Sequence, residues 1–287
     1  MSFSIKINAT IQLLRPKQWV KNGFVLAPLL FAGEFLSLPA LKSSFFAVFL
    51  FCVASSATYI VNDIHDLEHD RKHPKKSKKR PLAAGLISVQ EAIFILCGLY
   101  VILALGFLFV PQVIAVICAY LLLNLLYTFF LKHQPVLDIF CIAIGFVLRV
   151  VVGAVALDLP VSGWMLVTTL SLALYLAAVK RRQELSQSGT EGRKVLEKYS
   201  VSLVDRYAEM SATGALVFYS MFVLSDRPEL VLTVPLVLFG IFRYWYVVEA
   251  LDGGESPTDA LIADAPLLFT VVLWIGTCAY VIWPDKG

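Results

Sequence analysis

The sequence predicts an all-α membrane protein with about nine transmembrane helices in one bundle. Hydrophobic residues make up 59% of the 287 residues and charged residues only 16%, and the mean hydropathy is +0.77. These values are typical of a polytopic membrane protein and exclude a soluble globular domain. Because no fixed-period repeat or low-complexity tract divides the chain, a single transmembrane domain over residues 1–287 is expected.

Nine apolar runs approach the length of about 20 residues that a helix needs to cross a bilayer. Basic residues precede the first run without a small-residue cleavage site, so that run is expected to remain as an anchored helix. All five cysteines lie inside apolar runs without a C-x-x-C motif, so structural thiols are expected. The runs cover roughly residues 22–39, 43–62, 88–109, 112–131, 137–157, 161–179, 211–225, 229–248 and 265–283.

The distribution of Lys and Arg predicts the orientation of the bundle. With nine spans, most basic residues fall on the side of the N-terminus, which the positive-inside rule assigns to the cytoplasm. The long polar loops 63–87 and 180–210 lie on that side, together with an acidic loop at 249–264 that is interpreted as solvated, with a lid as the alternative. An inner (cytoplasmic) membrane location with a cytoplasmic active face is therefore expected.

The segment from Asn62 to Asp70, which reads NDIHDLEHD, carries three aspartates where an apolar run ends. If the helix continues, Asp63, Asp66 and Asp70 fall at i, i+3 and i+7 and share one face. Carboxylates at this depth are costly unless a cation compensates them, and hard oxygen ligands favour Mg²⁺. The three aspartates are therefore predicted as catalytic metal ligands, with a solvated helix end as the plainer alternative.

A run of Lys and Arg at 71–80 follows the aspartates and supplies the charge that phosphate groups require. Most of these lysines are typical of any cytoplasmic loop and would meet lipid headgroups. Arg80, preceded by Lys79, differs because it lies at Pro81, where regular structure resumes, and a guanidinium binds phosphate in a bidentate manner.

A second polar constellation begins where the sixth apolar run ends. Lys180 and Glu184 are spaced i, i+4, so one helix face can present a cation and a carboxylate. Arg149 lies inside the fifth run and must face the bundle interior, a paired acid or a water-filled cavity. The remaining candidates near these helix ends are Tyr127, Lys132, Asp138, Arg181 and Arg182.

These motifs resemble the UbiA-type intramembrane prenyltransferase superfamily, whose signature N-D-x-x-D-x-x-x-D matches NDIHDLEHD from Asn62 onward. The stretches LRPKQWVKN at 14–22, KRPLAAG at 79–85, LDIFCIAIGFVLRVVVGA at 137–154 and KRRQEL at 180–185 look like the decaprenyl-phosphate phosphoribosyltransferase branch. Prenyl-diphosphate enzymes of the superfamily usually carry a second D-x-x-x-D motif after helix 6. Here that place is basic, which suits substrates with additional phosphate groups.

The resemblance implies a Mg²⁺-dependent transfer of phosphoribosyl from phosphoribosyl diphosphate to a polyprenyl phosphate, in the service of envelope glycans. It implies that the aspartates hold Mg²⁺ on the diphosphate, that Arg80 and Lys79 assist, and that the 180–182 cations bind the 5-phosphate. The lipid phosphate would meet a set near the membrane surface, namely Arg15, Lys17, Lys21 and Asn22. No nucleic acid partner is expected, and the oligomeric state stays open.

Two alternative functions are also compatible with a membrane protein of this kind. The first is a UbiA-type transfer of an isoprenoid from its diphosphate to an aromatic acceptor, which the missing second Asp motif disfavours. The second is an ion-coupled transporter, whose acids normally lie near the bilayer midplane on broken helices within repeats. The acids of this chain lie at a helix end beside a polar loop, and no repeat is visible.

Overall fold

The computed structural model describes residues 3–74, 76–188, 194–250 and 257–283, and every regular element within those ranges is a helix. The α-helices are α1 (Phe3–Leu14), α2 (Ala27–Phe31), α3 (Leu38–His65), α4 (Leu67–Lys72), α5 (Lys76–Lys79), α6 (Val89–Phe107), α7 (Pro111–Phe129), α8 (Leu137–Ala156), α9 (Gly163–Ser188), α10 (Val201–Asp226), α11 (Val234–Ala250), α12 (Pro257–Ala263) and α13 (Ala265–Val281). Short 3-10 helices occupy Pro16–Leu26, Glu34–Leu36, Leu131–His133, Lys194–Lys198 and Pro228–Thr233. The all-α prediction is confirmed.

Seven helical segments of the described ranges are long and apolar enough to cross a membrane, and an eighth arises if α12 and α13, bent by 95°, count as one span. The first of the nine runs predicted from the sequence, 22–39, is not a single helix. It breaks into the 3-10 helix Pro16–Leu26, α2 and a further short turn, because Pro28 removes a backbone donor and Gly33 adopts a φ of 77°.

The polar connections are also shorter than the sequence predicted. Within 180–210, α9 continues to Ser188 and α10 already begins at Val201. Lys, Arg, Gln, Glu and Leu are good helix formers, so the charged residues after position 180 extend the helix beyond its apolar part. Within 63–87 the chain forms α4 and α5, and within 249–264 it forms α12, while residues 251–256 lie outside the described ranges.

Helix α8 occupies the middle of the bundle, where it contacts α3, α7 and α9, and α9 packs along α10. The 3-10 helix Pro16–Leu26 lies directly against α8. A Cβ atom built on Gly153 of α8 would lie 1.9 Å from the carbonyl oxygen of Val25, so the two backbones touch at this point. Glycine thus permits a close approach that places Lys21 and Asn22 beside α8.

Candidate active site

Two of the three predicted aspartates share one arginine. Asp63, near the end of α3, is 2% exposed, and Asp70, on α4, is 1% exposed. Nη1 of Arg80 lies 3.0 Å from Oδ1 of Asp63 and also donates to Oδ2 of Asp70. Arg15 donates to the same Oδ1 of Asp63 and lies over the ring of Tyr59. The carboxylate pair is therefore compensated by guanidinium groups from two different segments.

The third aspartate points to a different partner. Asp66 lies between α3 and α4, and its Oδ1 accepts a 2.6 Å hydrogen bond from Nζ of Lys132. Burial raises the pKa of the Asp66 carboxyl, but the hydrogen bond and charge of Lys132, with His65 and Arg80, hold that pKa below its usual value. The shared face of the three aspartates was expected only for a continuous helix, and this helix is interrupted, because α3 ends at His65 and the chain turns at Asp66 before α4 begins.

Within the described residues, no three acidic, His or Cys side chains are arranged around a common metal position. The carboxylate pair Asp63 and Asp70 nevertheless fits a cation. Oδ1 of Asp70 is buried without a hydrogen-bond partner, and the Lys76 ammonium lies 3.6 Å from it. A buried carboxylate oxygen that no donor satisfies is an available ligand for a hard cation such as Mg²⁺.

Arg149 lies within the apolar bundle and is 5% exposed. Its Nε donates to Oδ1 of Asn22 at 2.9 Å and its Nη1 to the carbonyl of Gly145 at 2.7 Å. The guanidinium also lies about 5 Å from the ring centroids of three aromatic side chains, which are Phe51, Tyr120 and Phe146. The sequence prediction that Arg149 faces the bundle interior agrees with this placement.

Lys21 lies on the 3-10 helix beside this arginine. Burial, together with the positive charges of Lys180, Arg149 and Arg15, lowers the pKa of Lys21 to about 7, and the negative charge of Asp259 opposes this shift. These four side chains, called the basic cluster below, come from three separate parts of the chain. Asp63 and Asp259 compensate part of this charge, and an anion that approaches the cluster would relieve the repulsion that remains among the four cations.

Arg181 and Asp138 form a buried ion pair. Arg181 is 2% and Asp138 0% exposed, and Nε of Arg181 donates to Oδ2 of Asp138 at 2.6 Å. Arg181 also donates to Glu184, so its guanidinium is held between two carboxylates. Tyr199, which no sequence motif indicated, donates its hydroxyl to the other oxygen of Asp138 at 2.7 Å.

Arg182 joins the ends of three helices. Its Nε donates to Asp205 of α10 at 2.8 Å and its Nη2 to Glu249 of α11 at 2.9 Å. Asp205 was not predicted from the sequence, because a single acid in a polar stretch carries no spacing signal. Of the remaining predicted residues, Asn62 and Tyr127 are half-buried, whereas Lys17 and Lys79 are exposed.

Comparison with known proteins identifies the family. The sequence model of the UbiA prenyltransferase family matches residues 24–261. The chain belongs to this family. A decaprenyl-phosphate phosphoribosyltransferase from Mycolicibacterium smegmatis is 35% identical, over 96% of this chain and 93% of the relative. The enzyme of the same name from Corynebacterium glutamicum is 34% identical, over 92% of this chain and 84% of the relative.

The fold agrees with solved structures of the UbiA family. A UbiA homologue from Archaeoglobus fulgidus bound to GPP and Mg²⁺ superimposes with a TM-score of 0.72 at 19% sequence identity, over 96% of this chain and 99% of that chain. The expected UbiA-like helical bundle is thereby confirmed. The long apolar helices of this UbiA-family protein identify it as a multi-pass membrane protein.

Proposed function

We propose that this protein transfers the 5-phosphoribosyl group from phosphoribosyl diphosphate to a polyprenyl monophosphate and releases diphosphate. The observation that carries the proposal is the identity of 35% and 34% to two enzymes named decaprenyl-phosphate phosphoribosyltransferase, over nearly the whole chain. The basic cluster gives it physical support, because a donor with three phosphate groups and a lipid phosphate together bring more negative charge than a prenyl diphosphate. Of the stretch 180–182, Lys180 belongs to this cluster, whereas Arg181 and Arg182 are each paired with two carboxylates.

The donor end of the site is assigned to the Asp63 and Asp70 pair with Arg80. In this assignment the two carboxylates, with Asp66 beside them, hold Mg²⁺, which would neutralise the charge of the diphosphate leaving group. Arg80 bridges the two acids in this structure. With the acids holding the cation, the Arg80 guanidinium would be available to donate hydrogen bonds to diphosphate oxygens, and the exposed Lys79 beside it in the chain would add positive charge.

The acceptor end is assigned to the basic cluster of Arg15, Lys21, Arg149 and Lys180, near Lys17 and Asn22. A lipid phosphate that enters between these cations relieves their mutual repulsion. Its oxygen attacks C1 of the ribose as the bond from C1 to the diphosphate oxygen breaks. The nucleophile is already an anion at pH 7, so no side chain has to remove a proton.

The same proposal orients the protein in the membrane. The acids and most of the basic side chains lie at one end of the helices, which corresponds to the cytoplasm under the positive-inside rule. Phosphoribosyl diphosphate, a soluble and strongly anionic metabolite, then reaches the site from the cytoplasm of a cell whose inner membrane holds the enzyme. The polyprenyl tail remains in the lipid throughout the reaction.

The test uses purified full-length protein with Mg²⁺ in two reactions. One contains radiolabelled phosphoribosyl diphosphate and polyprenyl phosphate, and the other contains prenyl diphosphate with aromatic acceptors. We expect label in the lipid phase of the first reaction and EDTA sensitivity. Product in the second reaction alone would overturn the proposal in favour of an aromatic prenyltransferase.

Matched variants connect the assay to the assigned residues. Asp63→Asn and Asp66→Asn keep the side-chain volume but remove a carboxylate charge, and we expect each to lower turnover about 10²-fold or more. Glu68→Gln is the control, because Glu68 lies in the same segment but is exposed. Wild-type turnover in Asp63→Asn, with Glu68→Gln also unaffected, would contradict the metal assignment.

A further inference from the structure

The turn between α7 and α8 has an unusual backbone conformation at Val136. This residue has a φ of 69° and a ψ of −48°, a region that β-branched residues rarely adopt. Such a conformation persists only where the surrounding structure holds it in place. Its neighbours therefore include a group that fixes the turn.

The hydroxyl group of Tyr199 is that group. The amide N–H of Val136 donates to the Tyr199 oxygen at 2.6 Å, and the Tyr199 O–H donates to Oδ1 of Asp138 at 2.7 Å. Tyr199 is 8% exposed, and Asp138 is in turn held by Arg181. Burial and the negative charge of Asp138 raise the pKa of Tyr199, so the hydroxyl keeps the proton that it donates.

The same turn carries a residue of the candidate active site. Lys132 lies on the 3-10 helix Leu131–His133, only four residues before Val136, and its ammonium contacts Asp66. This short helix also contacts α8 and the 3-10 helix Lys194–Lys198, which directly precedes Tyr199. The hydroxyl group of Tyr199, in the segment after α9, thus connects that segment to the turn that carries Lys132, the cation that contacts Asp66.

We infer that Tyr199 is a positioning residue, whose hydroxyl group bridges Val136 and Asp138 and thereby holds Lys132 against Asp66. The inference rests on the proposed function only for its kinetic consequence, which is productive binding of the phosphorylated donor. Loss of the hydroxyl group leaves the Val136 amide and one Asp138 oxygen unpaired. The turn then relaxes away from its positive φ, and Lys132 moves with it.

The first measurement needs no catalytic activity. An amine-acetylating reagent is applied to the full-length protein, and the modification rate of Lys132 is followed by peptide mass spectrometry. Only 12% of the Lys132 side chain is exposed, and it is ion-paired. We expect Tyr199→Phe to accelerate its acetylation about tenfold, the effect of losing one hydrogen bond to a charged group. An unchanged rate would overturn the inference.

Tyr175→Phe is the matched control. Tyr175 is also a buried tyrosine whose hydroxyl group makes one hydrogen bond, at 2.9 Å to the carbonyl of Ile241, but it does not contact the α7–α8 turn. We expect Tyr175→Phe to lower the melting temperature while Lys132 stays protected. Equal acceleration in both variants would reduce Tyr199 to an ordinary structural residue and overturn the inference.

The kinetic test asks whether Tyr199 acts through Lys132. We expect Tyr199→Phe to lower kcat/KM for phosphoribosyl diphosphate about tenfold and to leave the KM of the lipid phosphate within about twofold. In a Lys132→Met background the tyrosine substitution should have no further effect, since two residues that act as one unit are not additive. If the losses in kcat/KM caused by Tyr199→Phe and Lys132→Met multiply in the double variant, Tyr199 does not act through Lys132.

The two proposals fail in distinguishable ways. If the wild-type protein transfers no phosphoribosyl group, the proposed function fails while Lys132 acetylation still decides the role of Tyr199. If Tyr199→Phe does not fold, hydrogen exchange of the wild-type protein decides, because the Val136 amide must be protected. Free exchange of that amide would overturn the inference.

Discussion

The contact between Gly153 and Val25 makes a sharp prediction about how the acceptor side of the site is built. Gly153→Ala adds one methyl group to α8 at a point 1.9 Å from the Val25 carbonyl oxygen, whereas ordinary van der Waals contact begins at 3.4 Å. The 3-10 helix Pro16–Leu26 must therefore move away from α8 by about 1.5 Å, because neither group belongs to a flexible side chain.

This displacement has a calculable effect on the basic cluster. Asn22 lies on the displaced helix, and Arg149 lies one turn before Gly153 on α8, with 2.9 Å between the bonded atoms. A separation larger by about 1.5 Å exceeds the hydrogen-bonding range and breaks this bond. We expect a loss of about 3 kcal/mol or more in unfolding free energy, from overpacking and from the unpaired guanidinium.

The assay is thermal unfolding in detergent, followed by phosphoribosyl transfer at a temperature where the variant is folded. A loss of about 3 kcal/mol corresponds to a melting temperature lower by roughly 6 °C or more. The folded variant should show a larger rise in the KM for the lipid phosphate than in the KM for the donor. Asp63 and Asp70 lie outside the displaced helix, and of that helix only Arg15, at its N-terminal end, contacts Asp63.

Gly98→Ala is the matched control, because a Cβ atom at Gly98 on α6 has no heavy atom within 4 Å. This substitution should be neutral or stabilise the helix by up to about 1 kcal/mol. A melting temperature of Gly153→Ala equal to that of Gly98→Ala would refute the backbone contact. A lowered melting temperature with an unchanged lipid KM would refute the link between this contact and acceptor binding.

Three further predictions concern charge at the site. Arg80→Ala leaves Asp63 and Asp70 without their shared guanidinium, so Mg²⁺ should raise the melting temperature more in this variant than in the wild-type protein; an equal rise would contradict a metal site there. The affinity for polyprenyl phosphate should fall from pH 6 to pH 8 more steeply in the wild-type protein than in Lys21→Gln, because Lys21 loses its proton around pH 7; identical pH profiles would exclude Lys21. Arg182→Ala should cost about 1 kcal/mol in unfolding free energy, since its partners are partly exposed, and chemical denaturation that detects no loss would show that Arg182 does not stabilise the helix ends.

The sequence by itself determined the class of the protein and most of its helices. Long apolar runs must become helices in a bilayer, because lipid offers no partner for backbone N–H and C=O groups. The same reasoning located the polar end of the bundle, since three aspartates beside a basic run cannot lie in hydrocarbon. Asp63, Arg80 and Arg149 were all found from such local signals of charge against an apolar background.

Only the tertiary structure decided which charged groups meet. The helical period placed Asp66 with Asp63 and Asp70, yet the chain turns at Asp66, and its partner is Lys132, 66 residues away. Tyr199 carried no signal at all, because one hydroxyl group acquires its role only when Val136 and Asp138 fold against it. Hydropathy and spacing describe neighbours along one helix, whereas ion pairs between helices depend on how the helices pack. The contact between Gly153 and Val25, for example, sets the distance between α8 and the 3-10 helix Pro16–Leu26.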